Sequence, residues 1–398
     1  MPDATRRSWI KTSGAVLATL ASQLPFSSIR PAAARVGSRD GAPAGATPAG
    51  AMPDGAAPAS AIDAIRARLS LNENPFGCSS AAVEAIRNNL AGLSRYTERD
   101  AEQLTAQIAA KEGVSPQQVV LGEVLPALGT QLSVTDGPGG EFIYSTPGFT
   151  DLVEAAEQTG GTAVGVPLNE HLENDLHAIA GRTNSRTRAV YLVNPHNPSG
   201  TVSDPNALKT FVTDLAKRAP VIVDEAYLEF TDSFDARTLT PLVRDGYNVV
   251  VFRTFDKAYG LAALQFGYAL APAALANTLR ERGVGASHGL NRLAVVAAAA
   301  ALRDTHFIDE TRRKTAAERT RWHSALDELG LRRSNSQGNF VFFLAGRPHD
   351  EIARAFLADG IQIGRSFPPL DPWIRISIGL AEENTLAIAT LRRTVTRL

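Results

Sequence analysis

Five short apolar runs limit what this chain can become: VVL at 119, EFIYS at 141, AVYLV at 189, PVIVDE at 220 and NVVVF at 248. Each has about the length of a strand and is rich in β-branched residues. Several are apolar on both faces, as strands buried in a parallel sheet are. Helical stretches separate many of them, residues 204–216 for example, and strand–helix alternation predicts an α/β sandwich around a mostly parallel sheet. Upstream, residues 81–90 and 100–111 carry helical periodicity. Beyond Gly289 the pattern predicts one long helical stretch to Leu329, stopped by Gly330. Strands near Asn339 and Trp373 follow, then a last helix from Glu382. These C-terminal elements read as a smaller α+β domain. The expected boundaries are 98–288 for the large domain, and 62–97 with 289–398 for the small one.

At 398 residues the chain has room for roughly two to three domains. Lys plus Arg number 40 against 41 for Asp plus Glu, so no basic footprint points to nucleic acid. Cys78 is the single cysteine, which excludes an intrachain disulfide and a cysteine-cluster metal site. The seven histidines are scattered, and no metal is expected. The N-terminus reads as an address. Arg6 and Arg7 precede a mildly apolar run over 12–26, and Ala32–Ala33–Ala34 offers a small-residue cleavage site. This order resembles a bacterial twin-arginine signal peptide over 1–34. It implies export to the periplasm by the twin-arginine machinery; the bland alternative is a disordered basic arm. The apolar run is shorter than the about 20 residues a spanning helix needs, so no stable membrane insertion is expected. The Ala/Gly/Pro-rich tract over 35–61 cannot bury enough surface to offset its conformational entropy and reads as a flexible linker.

In open α/β folds, ligands bind beyond the carboxyl ends of the strands. Polar groups gather there. AVYLV runs into NPHNPSG, with Asn194 and Asn197; PVIVDE ends in DEAY, with Asp224 and Tyr227; NVVVF ends in RTFDKAYG, with Lys257 just beyond. Singly, each has an ordinary explanation as turn, cap or solvated charge. In this order they resemble the fold-type-I pyridoxal-phosphate (PLP) enzymes, and within them the histidinol-phosphate aminotransferase-like group. LSLNENPFG at 69, RYTERD at 95, GNF at 338 and IRISIG at 374 extend the resemblance from about Leu69 to the C-terminus. The resemblance implies a three-layer αβα large domain holding PLP. It makes Lys257 the lysine that bonds the cofactor and moves the substrate proton, and Asp224 the partner of the pyridine nitrogen. Asn197 and Tyr227 become hydrogen-bond partners of the ring oxygen, Phe149 the stacked aromatic ring, and Thr254 a phosphate contact. Arg375 becomes the guanidinium that grips an anionic substrate end, with Arg365 a second candidate and Asn72 on the bordering segment. Tyr96 becomes a residue reaching into a neighbouring subunit's site, and hence implies a homodimer. The implied reaction is transamination between an amino donor and an oxo-acid acceptor. The alternatives are other PLP chemistry (oxidation, elimination, metabolite tailoring) and a non-catalytic ligand-binding relative.

The chain departs from the family where the phosphate would sit. Family members carry a Gly-Ser/Ala-Asp-Glu turn at a helix start, whose amides receive phosphate. Here the segment is LGEVLPALG, with Val124 and Leu125 in place of small residues and Pro126 lacking an amide donor. Asp256 replaces the serine before the lysine, and Gln265 replaces the phosphate-binding arginine. Weakened PLP binding is the sharp expectation, local compensation the bland one. Each like-charge pair 4 Å apart costs roughly 4 kcal/mol at an effective dielectric of about 20, before relaxation and screening.

Overall fold

All five apolar runs become strands of one seven-stranded sheet in the computed structural model, which describes residues 65–395 except 136 and 138. The signal-peptide and linker readings of 1–34 and 35–61 fall outside the described residues. The strands are β1 (Ala67–Leu69), β2 (Val119–Leu121), β3 (Glu141–Thr146), β4 (Thr162–Pro167), β5 (Thr187–Val193), β6 (Val221–Asp224), β7 (Val249–Thr254), β8 (Gly267–Leu270), β9 (Phe340–Leu344), β10 (Ile361–Ile363) and β11 (Trp373–Ser377). The large sheet has the order β2-β8-β7-β6-β5-β3-β4. Only β8 is reversed, antiparallel to both β2 and β7. Two small sheets complete the set, β1 parallel to β10 and β11 antiparallel to β9.

The principal helices are α1 (Ser80–Asn89), α2 (Glu98–Glu112), α3 (Val124–Val134), α4 (Asp151–Glu157), α5 (Leu176–Arg182), α6 (Pro205–Leu215), α7 (Ala273–Glu281), α8 (Arg292–Arg303), α9 (Thr305–Glu328), α10 (His349–Ala358) and α11 (Ala381–Val395). Alternate residues of the central strands face opposite helix layers, as a period of two requires. Val190, Leu192, Val221, Val223, Val249 and Val251 pack with α1, α2, α5, α6 and α8. Tyr191, Val193, Ile222 and Val250 pack with α3, α4 and α7. This is the expected αβα layering. A further core gathers Trp322, Val341, Phe343, Ile374, Ile376 and Leu391 around the two small sheets.

One expectation is corrected. The stretch after Gly289 is two helices, α8 and α9, not one. Asp304 takes non-helical dihedrals (φ −88°, ψ 72°), and its carboxylate accepts the Phe307 N–H at 3.1 Å, so it caps α9 where the sequence pattern runs on. Gly330, with φ +66°, follows the end of α9 as expected. Among the described residues no helix is long and apolar enough to cross a membrane, and no His/Cys/Asp/Glu group could hold a metal ion.

Candidate active site

The carboxyl edge of the parallel strands carries the first half of the site. β6 ends on Asp224, which is 2% exposed. Its carboxylate accepts the Tyr191 hydroxyl at 2.8 Å and the Ala226 N–H at 3.0 Å; among the described residues no cationic side chain hydrogen-bonds to it. Burial pushes its carboxyl up to about 6, against the pull of those two bonds and of Lys257. A buried carboxylate without a bonded cation is costly, and a protonated ring nitrogen would supply one. The ring end therefore fits PLP. Tyr227, also buried, accepts the Asn72 Nδ2–H at 3.1 Å and lies edge-on to Phe340 at 5.2 Å between ring centroids. Lys257 is half-buried on the turn after β7, its Nζ 3.4 Å from the Leu71 carbonyl. Phe149 follows β3 and packs half-buried against the α3–α4 side of the core. Asn194 instead serves the turn, accepting the Ser203 N–H at 3.0 Å.

The second half comes from the C-terminal sheets and the segment after β1. Arg375, on β11, donates to Asn197 Oδ1 at 2.6 Å and to the Ser70 carbonyl at 2.9 Å. Its guanidinium lies 4.9 Å from the Phe367 ring centre and 5.6 Å from that of Phe340. Its buried Nε has no hydrogen-bond partner among the described residues. Burial lowers the guanidinium to about 10, so it stays charged at neutral pH. Arg365, exposed, stacks on the same Phe367 ring, 4.5 Å from its centre. Asn72 is buried with φ +56° and held on three sides. Its N–H donates to Ser377 Oγ at 2.8 Å, its Oδ1 accepts from that hydroxyl at 3.1 Å, and its carbonyl accepts from Asn339 at 2.9 Å. Tyr96 is 73% exposed, and its carbonyl accepts from Arg292 at 2.6 Å. It does not join the other site residues of its own chain.

The phosphate end carries the departures read from the sequence. Glu123 precedes α3 as its N-cap but makes no side-chain capping bond. Asp256 Oδ1 accepts the Phe266 N–H at 3.1 Å, and the Asp256 N–H donates to Thr254 Oγ1 at 3.0 Å. Thr254 in turn lies 3.4 Å from the Phe266 carbonyl. Gln265 is exposed in the left-handed region at φ +47°.

Four residues that sequence reasoning left out belong here. Tyr191 has only the signal of a phenol inside an apolar strand. Ser377 and Asn339 lie in IRISIG and GNF, motifs that were read without assigning these side chains. Asp151 opens α4 two positions after Phe149, its carboxyl pushed up to about 6 chiefly by burial while Lys257 opposes; nothing in the chain order marks it.

Comparison with known proteins agrees with this geometry. The model of the family "Aminotransferase class I and II" matches residues 65–391. A histidinol-phosphate aminotransferase of Limosilactobacillus fermentum is 36% identical over 327 residues, 80% of this chain and 88% of that one. An aromatic amino acid aminotransferase of Cutibacterium acnes is 34% identical over 82% of this chain and 92% of its own. Among solved structures, the histidinol-phosphate aminotransferase of Sinorhizobium meliloti in complex with pyridoxal-5'-phosphate aligns with a TM-score of 0.76. It is 29% identical, over 84% of this chain and 92% of that one.

Proposed function

Because the chain belongs to the aminotransferase class I and II family and its cofactor is PLP, we propose that it is an exported transaminase for an amino acid or amino-acid-like amine with an anionic end. The cofactor supplies an electron sink for the pair left when the substrate loses its α-proton. Lys257 would hold the cofactor through its amine, and that amine, once freed, would move the proton. Asp224 would hold the proton on the ring nitrogen, and Tyr191, through its hydrogen bond, orients Asp224. Asn197 and Tyr227 would hydrogen-bond the ring oxygen, Phe149 would stack on the ring, and Thr254 would contact the phosphate. Arg375 takes the anionic end of the substrate, aided by Arg365, while Asn72 shapes the border.

The observation that carries this reading is the conjunction of Asp224, buried without a bonded cation, with Lys257 at the neighbouring strand end. The relatives' names point to aromatic or imidazole-bearing amines. Histidinol phosphate itself fits poorly with export, since histidine synthesis is cytoplasmic. The test is amine transfer to an oxo acid from a panel of aromatic amino acids, histidinol phosphate and other amino acids. Loss of cofactor colour without transfer to any acceptor would favour other PLP chemistry.

The proposal includes a homodimer. Leu71, Leu90, Leu93 and Tyr96 are 51–73% exposed, large apolar or aromatic side chains that a second copy would cover. It also includes passage through the twin-arginine machinery, on the strength of Arg6–Arg7 and the run behind them.

A further inference from the structure

The segment after β1 offers three consecutive residues to three groups of the site. The Ser70 carbonyl accepts from Arg375 at 2.9 Å, the Leu71 carbonyl lies 3.4 Å from Lys257 Nζ, and the Asn72 side chain donates to Tyr227 at 3.1 Å. The third of these bonds belongs to a chain of donors and acceptors whose direction can be followed proton by proton.

Asn72 and Ser377, the last residue of β11, are both buried. The φ of +56° at Asn72 is one that asparagine tolerates better than most residues. The Asn72 N–H can only donate, so Ser377 Oγ is its acceptor at 2.8 Å. The Ser377 hydroxyl proton then goes to Asn72 Oδ1 at 3.1 Å, and among the described residues no other acceptor bonds it. Turning the amide over would set its NH2 against that hydroxyl and leave a buried proton unpaired, which is costly. The amide therefore presents Nδ2 to Tyr227, and the phenol oxygen accepts. Asn339 Nδ2 donates to the Asn72 carbonyl at 2.9 Å and to the Glu73 carbonyl at 3.3 Å, so the backbone that carries the amide is fixed too. A phenol has a single proton to give. Asn72 cannot take it, because its acceptor is turned to Ser377, and no other group among the described residues accepts it.

We propose that Asn72 is a positioning residue rather than a substrate contact: anchored by Ser377, its amide commits the Tyr227 proton to the ring oxygen of the cofactor. The inference rests on the PLP reading above. A donor aimed at an oxygen favours the ionised form of that oxygen. With Tyr227 so directed, the ring oxygen would lose its own proton at lower pH than without it. Ser377 acts one step further back, by deciding which end of the amide meets Tyr227.

The test uses the full-length protein loaded with PLP, with no amine substrate present, and follows the bound cofactor's absorbance from about pH 5 to about pH 10. Asn72→Gly removes the amide and keeps a residue that adopts positive φ. Ser377→Ala removes the anchor and leaves Asn72 in place. Neither substitution changes a charge, so Asp224, Lys257 and Arg375 act on the ring as before. Asn72→Gly should raise the pH midpoint of the absorbance change by about one unit, a tenfold change in the ionisation constant, as loss of a hydrogen bond to a charged group does. Ser377→Ala should raise it less, in the same direction, and carries the prediction alone if Asn72→Gly does not fold. Tyr227→Phe should raise it at least as far as Asn72→Gly, and adding Asn72→Gly to Tyr227→Phe should shift it no further. An unchanged midpoint in Asn72→Gly and Ser377→Ala would overturn the inference alone, and a raised KM for the amine beside it would make Asn72 a substrate contact. Shifts that simply add in the double variant would overturn it as well, since Asn72 would then act without Tyr227. A parent protein that takes up no PLP at any pH would remove the cofactor reading, and this inference with it.

Discussion

Among the described residues Asp224 bonds only a phenol and an amide, so it costs the cofactor-free protein stability once it ionises. Its folded value of about 6 lies above the usual aspartate value of about 3.9. For a group raised on folding, the stability present below the unfolded value is lost as pH rises through the folded one. The window is therefore about pH 4 to 6, and the loss is about 3 kcal/mol at 1.36 kcal/mol per unit. Asp224→Asn should raise the thermal midpoint of the apo-protein at pH 8 while leaving it unchanged at pH 4. The same variant should lose at least about 100-fold in turnover, because a neutral amide cannot hold the ring-nitrogen proton. An equal shift in midpoint at both pH values would refute the charge argument. Lys257 gives a second prediction at this scale. Lys257→Ala should fold normally yet abolish turnover, and wild-type rates in a clean preparation would sink its assignment. Lys257, Asp224, Asn197 and Tyr227 were legible because each closes an apolar run, where a polar residue is conspicuous. Tyr191 and Asp151 were not. A phenol within a strand looks like core, and an aspartate opening a helix looks like a favourable charge at the helix dipole.

Elements bring these residues together through backbone approaches that tolerate little change. Gly260, three residues past Lys257, has φ +71°, and a Cβ there would lie 2.0 Å from the Gly77 carbonyl oxygen. That contact fits the lysine turn against the segment that carries Asn72. Gly260→Ala adds left-handed strain and a backbone clash together, and should cost at least about 2 kcal/mol. Denaturant unfolding measures the loss, and a stability change under about 0.5 kcal/mol would show that the two segments can part freely. The sequence marked the central strands because burial on both faces demands unbroken apolar runs. β4 stands at the sheet edge with half its residues exposed, and β8 reads GYAL, opening on glycine with no β-branched residue, so neither carries that signature. The α8–α9 break was hidden for a different reason. Apolar periodicity continues across Asp304, and only its capping bond reveals the turn.

Assembly and address are properties of the whole molecule, and each can be broken without touching the chemistry inside one chain. Leu90 and Leu93 close the stretch after α1, and Tyr96 follows them, all exposed. Apolar side chains of this size on one short segment gain by mutual burial, at about 25 cal/mol per Å². In the proposed dimer, in which Tyr96 reaches a second site, Leu93→Asp should shift the protein toward monomer in sedimentation and reduce activity. A fully active monomer would contradict that role. The proposed export makes the further demand that a cofactor enzyme be complete before it leaves the cytoplasm. The twin-arginine route, which carries folded proteins, satisfies it. A guanidinium presents a fork of donors that a lysine ammonium cannot match, so the proposed signal would depend on arginine and not on positive charge alone. Replacing Arg6→Lys and Arg7→Lys keeps the net charge of −1 and leaves the folded body untouched. The double variant should accumulate in the cytoplasm as a folded, PLP-binding enzyme, while the parent protein fractionates with the periplasm. Undiminished periplasmic enzyme in the double variant would leave Arg6–Arg7 as an ordinary basic arm.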